Sequence, residues 1–79
     1  MVYQQELSSI DYLIRDSARN DYSVEITWWE QYKESRGKNN SFCGVIKWIE
    51  QQARRIKLEN DKKDIQWIQM DKIVDVMAK

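Results

Sequence analysis

The sequence has no histidine, no proline, a single cysteine, two glycines and no long apolar run. Each shortage excludes something. Without histidine, the commonest general base and the commonest nitrogen ligand for a metal are missing. A lone Cys43 cannot close an intrachain disulfide, which fits a reducing compartment. Set between Phe42 and Gly44 in an apolar stretch, it reads as a small core residue, with no neighbouring base or positive site to favour its thiolate. No apolar stretch approaches the ~18 residues of a membrane-spanning helix. The N-terminal MVYQQELSSI lacks the basic-then-apolar order of a secretory signal. A glycine-rich phosphate loop, a nucleotide fingerprint and a dense oxygen-ligand loop are also missing. Carboxylate pairs such as Asp71 with Asp75 read as solvated surface. The expectation is a cytoplasmic, non-enzymatic protein with no cofactor, no bound metal and no membrane partner. With two glycines and no proline, sharp turns must rest on Asn, Asp and Ser.

What is present is a short chain rich in aromatics. Its 79 residues leave room for one domain, which would bury only about 60% of its unfolded surface. Four Trp, four Tyr and one Phe supply bulk to a small core. Thirteen basic and thirteen acidic residues cancel, which argues against strong non-specific nucleic-acid binding, because that binding needs an excess of phosphate-neutralising side chains. The balance is uneven: residues 1–30 carry a net −4 and residues 31–79 a net +4.

Along the chain, residues 2–19 read as one helix. Leu7, Ile10, Leu13, Ile14 and Ala18 keep helical spacing, Tyr3 can join their stripe, and Gln4, Glu6, Asp11, Arg15 and Asp16 fall on the other side. Asn20 and Asp21 supply the stop, Asn being tolerant of a left-handed backbone. Residues 22–32 alternate as a strand, with Trp28 inward and Trp29 outward. The polar KESRGKNN of residues 33–40 reads as a loop or hairpin turn. Residues 44–60 are ambiguous. Val45, Trp48, Ile49, Ala53 and Ile56 fit a helical face, while FCGVI and RIKLE fit strands joined by a turn near residues 50–54. NDKKD at 60–64 is a turn, 65–70 a short strand, Asp71 and Lys72 a tight step, and 73–77 a last strand.

The helix followed by SVEITWW, the glycine of GVIKWIE, then RRIKLEN and WIQMDKIVDV together resemble the YolD-like family of small bacterial proteins, over residues 7–76. The resemblance implies strands rather than a second helix. It implies an α+β, mainly β fold: an N-terminal helix (residues 1–20) and a small SH3-like, Sm-like barrel of about five strands (residues 21–79). Gly44 would let a strand bend against its neighbour, and Asp71 with Lys72 would form the short 3₁₀ step before the last strand. Longer family members carry a basic, Trp-containing N-terminal segment that this sequence does not contain. The family has been proposed to serve as an accessory of Y-family, lesion-bypass DNA polymerases, by analogy with UmuD. The implied partner is therefore a protein, a Y-family DNA polymerase.

Two binding sites can be named. Trp29, Trp48 and Trp67, set among polar neighbours, are candidate anchors for a protein partner, since Trp is enriched at binding hot spots. The competing reading is that they cover the ends of a small barrel. Arg54, Arg55, Lys57 and Lys63, joined by Lys62, form a basic group that could hold single-stranded nucleic acid through phosphate contact and base stacking. The competing reading is a solvated turn. Sm-type RNA binders place an Asp and an Asn in the corresponding loop. Here Glu50 fits the acidic position and the Asn is missing. The sequence leaves oligomeric state open.

Overall fold

The computed structural model describes residues 2–79, with side chains from Ser9 onward. Helix α1 spans Val2–Asn20 and is followed by strands β1 (Ser23–Lys33), β2 (Arg36–Glu50), β3 (Arg55–Glu59), β4 (Ile65–Gln69) and β5 (Ile73–Ala78), with a 3₁₀ turn at Met70–Lys72. The described part of the helix buries Ile14 and Ser17 and leaves Asp11 and Arg15 outside. Tyr3, Gln4, Glu6 and Leu7 lie outside the residues whose side chains are described. Ser17 is a buried hydroxyl, and it donates to the Ile14 carbonyl at 3.0 Å, so its burial leaves no polar atom unpaired. Asp21, not Asn20, takes the left-handed conformation that ends the helix (φ 57°). The Asn20 amide instead donates back to Asp16.

The five strands form one antiparallel sheet in the order β4-β3-β2-β1-β5. The ambiguous stretch is therefore strand, as FCGVI and RIKLE suggest. The five expected strands are present, but the sheet is not closed. β4 and β5 are its two edges, and the three-residue turn between them leads the chain from one edge to the other without a ladder joining them. The stretch read as a polar loop at 33–40 is mostly strand. The turn is only Glu34 and Ser35, and β2 begins at Arg36. Polar side chains suit that segment because it projects beyond the core. The Gln31 amide braces the turn by donating to the carbonyls of Lys33 and Glu34, at 2.9 and 2.6 Å.

Ile14, Val24, Ile26, Ile46, Ile56, Leu58, Ile68 and Val76 form a single buried cluster, each worth about 1.5–3 kcal/mol relative to exposure. Trp28 packs against its rim. Gly44 is required by close approach. A Cβ there would sit 2.8 Å from the Glu59 carbonyl oxygen on β3. Cys43, expected in the core, is exposed. It pairs with Glu25 while Gly44 pairs with the buried Val24, so strand alternation turns its thiol to the outer face. Among the described residues no helix is long and apolar enough to cross a membrane.

Candidate functional site

The outer face of β2, β3 and β4 is built by a bulge. Simple alternation from the buried Ile46 would turn Trp48 inward. The register between β2 and β3 slips by one residue at Lys47, so that Trp48 pairs with Lys57 and Ile49 with the buried Ile56. A bulge inserts one residue and reverses the phase beyond it. Trp48 thus emerges on the outside, 59% exposed. Lys57 pairs in turn with Trp67 on β4. Trp48, Lys57 and Trp67 form a row across three strands, bordered by Ile65, which is 48% exposed.

Arg55 organises the next row. It stands between Glu50 and Gln69, and its Nε donates to Glu50 Oε1 at 2.5 Å. Its guanidinium carbon lies 4.2 Å from the centroid of the Trp67 ring, and Lys57 Nζ lies 5.8 Å from the same centroid. Both cations are within range of the ring quadrupole. Trp67 is therefore held by two cations while 39% exposed.

The structure splits the three candidate tryptophans. Trp48 and Trp67 flank one lysine. Trp29 pairs with Asn39, at the opposite end of β2 from Trp48, and its indole lies over Gly37. It meets Trp67 from another direction: Trp28, Trp29, Glu30 and Gln31 of β1 face Gln66 to Gln69 of β4 and Lys72 across a cavity of about 250 Å³.

The basic candidates do not converge. Arg54 (φ 55°) ends the β2–β3 turn, where its carbonyl accepts the Met70 N–H. Lys63 (φ 70°) lies beyond the far end of β3, in a turn set by Asn60. The Asn60 side-chain oxygen there accepts from the Lys62 and Asp64 N–H groups. Arg55 and Lys57 lie between these ends and are already engaged with Trp67. Lys63 instead lines an outer-face hollow of about 420 Å³ with Lys47, Lys79 and Cys43, opposed by Glu59 and Asp61. Among the described residues no group of three His, Cys, Asp or Glu is placed to hold a metal.

Residue-by-residue reading missed Ile65, Gln69 and the stacking of Arg55. One signal was available: IQWIQ is uncharged in a chain that is 33% charged. No curated protein and no solved structure matches the chain significantly. The family model for YolD-like proteins matches residues 2–77, nearly the whole length, and the chain belongs to that family.

Proposed function

We propose that this protein is a non-enzymatic protein-binding adaptor, and that its partner is a Y-family lesion-bypass DNA polymerase. The observation that carries the reading is the exposed outer-face row of Trp48, Lys57 and Trp67, bordered by Ile65 and Arg55. Trp and Arg dominate binding hot spots, and a pre-positioned side chain loses less entropy on docking. The polymerase is the partner implied by family resemblance. The nucleic-acid alternative has weaker support, because Arg54 and Lys63 lie at opposite ends of β3 and Arg55 already stacks on Trp67. The test is calorimetric titration of the full chain with a purified bacterial Y-family polymerase. Trp48→Ala should weaken binding at least tenfold with little change in melting temperature. No binding by the unmodified chain, or unchanged affinity of the variant, overturns the reading.

A further inference from the structure

The two edges of the sheet are protected unequally. β5 carries Asp75, is flanked by Lys72 and Lys79, and has a bulge at Val74 against β1. Charges and bulges are the usual means of keeping an edge from pairing. β4 has neither. Its register against β3 is unbroken from Ile65 to Gln69, and its sequence, IQWIQ, is uncharged.

The direction of its backbone groups follows from two hydrogen bonds. Asn60 N–H donates to the Asp64 carbonyl, and Met70 N–H to the Arg54 carbonyl. Antiparallel pairs alternate between bonded and non-bonded. Gln66 and Ile68 therefore bond inward to β3, while Ile65, Trp67 and Gln69 point their N–H and C=O groups away from the sheet, where the exposed Gln66 amide occupies the Trp67 carbonyl at 3.0 Å until a partner N–H replaces it. On the opposite wall of the 250 Å³ cavity, β1 is also unpaired on that side, because its ladder with β5 ends at Trp28 and Ile73.

We infer that the seam between β4 and the far half of β1 is a seat for one extended segment of a partner protein, which adds as a strand to β4. The inference rests on the adaptor reading and specifies its mode. A segment in this seam has β4 on one side and β1 on the other, so it must arrive single. A strand already in a sheet, including a second copy's β4, would drive its neighbour into the β1 wall. The segment is of low net charge. The seam offers the amide of Gln69 and the amide oxygens of Gln31 and Gln66, whose NH2 groups donate to backbone carbonyls of this chain. Its two charges are Lys72 and Glu30, the latter engaged by Asn40. Alternate side chains of the segment meet Trp29 and Trp67 outside, and Trp28 and Ile68 inside.

The probe is a random linear heptapeptide library displayed on phage and selected on the full chain, followed by NMR titration with the most enriched synthetic heptapeptide. Binding should slow exchange of the Ile65, Trp67 and Gln69 amides at least tenfold. Gln69 has φ −70°, which proline adopts, so Gln69→Pro deletes one outward donor without breaking the ladder. It should weaken binding at least tenfold at unchanged melting temperature. If the variant is destabilised, the peptide decides: N-methylation at alternate residues should cost at least tenfold in one of its two phases. Failure to enrich any peptide, binding without protection of those amides, or tolerance of both methylation phases overturns the inference. So does a concentration-dependent dimer that Gln69→Pro dissolves. Polymerase binding lost in Trp48→Ala, with no protected edge amides, sinks the seat alone. A protected edge with no polymerase binding sinks the polymerase reading alone.

Discussion

The hairpin of β1 and β2 has two halves with opposite fates. In the near half, Val24 pairs with Gly44 and Ile26 with Phe42, and Val24, Ile26 and Ile46 are buried under α1 and beside β5. In the far half, beyond Trp28, the β5 ladder has ended and, among the described residues, none of the buried cluster lies on it. Cross-strand pairs hold it instead: Glu30 stands opposite Lys38 and accepts from the Asn40 amide, and Trp29 is laid over Gly37. Such pairs contribute roughly 0.2–1 kcal/mol each, against about 1.5–3 kcal/mol for one buried aliphatic. One continuous strand thus draws on burial at one end and on side-chain pairing at the other.

The largest break in this comparison should come from Ile26→Ala. Truncating a fully buried Ile leaves a cavity and should cost about 3–4 kcal/mol, read by urea denaturation. A cost comparable to that of any far-half truncation would erase the distinction. Gly44→Ala comes next. Its new Cβ meets β3 backbone, at 2.8 Å from the Glu59 oxygen and 3.0 Å from its carbon, and that backbone lies over the core. Overpacking of this kind costs about 1–3 kcal/mol. The melting temperature should fall by roughly 4–8 °C per kcal/mol.

The other glycine sharpens the contrast. At Gly37 a Cβ would sit 2.3 and 2.6 Å from Trp29 ring carbons and 2.8 Å from the Glu30 carbonyl oxygen, so the ring can swing away but the hairpin backbone must also give. Gly37→Ala should cost about 1–2 kcal/mol, because part of its clash is with backbone, and Trp29→Ala about 1 kcal/mol or less. The double variant should cost less than their sum by several tenths of a kcal/mol, as contacting residues couple. Strict additivity would mean that the indole does not guard that glycine.

The smallest effect lies where the near half begins. The Tyr22 hydroxyl donates to Asp16 Oδ2 at 2.7 Å. That hydrogen bond, followed by desolvation and the Asp16 charge, raises the Tyr22 pKa above its ordinary 10.0. The folded state then holds the phenolic proton more tightly than the unfolded state does. This contribution is complete below pH 10 and is lost as pH rises through the raised value. Asp16→Asn should bring the Tyr22 titration, followed by NMR of labelled tyrosine, back toward 10.0 and flatten the alkaline loss of stability.

Most strands were legible because their burial pattern is local. Val24 and Ile26 alternate with polar neighbours, as do Ile56 and Leu58, and the helix shows its stripe through Ile14. Elements set by distant partners were less legible. Arg36 to Asn40 has the composition of a loop, and it becomes strand because β1 supplies a matching ladder. Cys43 sits among apolar neighbours, but its face is decided by its register against Glu25. The adjacent aromatic and aliphatic pair Trp48 and Ile49 could not be phased without the Lys47 bulge, which only the pairing with β3 reveals. Of the candidate tryptophans, the exposure of Trp29 and Trp67 was readable from polar neighbours and strand phase together, and that of Trp48 from polar neighbours alone, since simple alternation would turn it inward. Their division between an outer-face row and a seam was not, because it depends on β4 coming round toward β1.

The strand order carries a kinetic consequence. β1 to β4 pair with their chain neighbours, so each hairpin can close across a short turn. β5 alone crosses back, pairing Val76 with Ile26, and must wait for a loop of about fifty residues, whose closure costs more entropy than any turn. Because α1 rests on both β2 and β5, the helix cannot reach its full seat before that event. The meander is then the early-forming unit, and both chain ends dock late and together. The native state should open first by releasing β5 and the helix as a pair, leaving the β1–β4 amides the last to exchange.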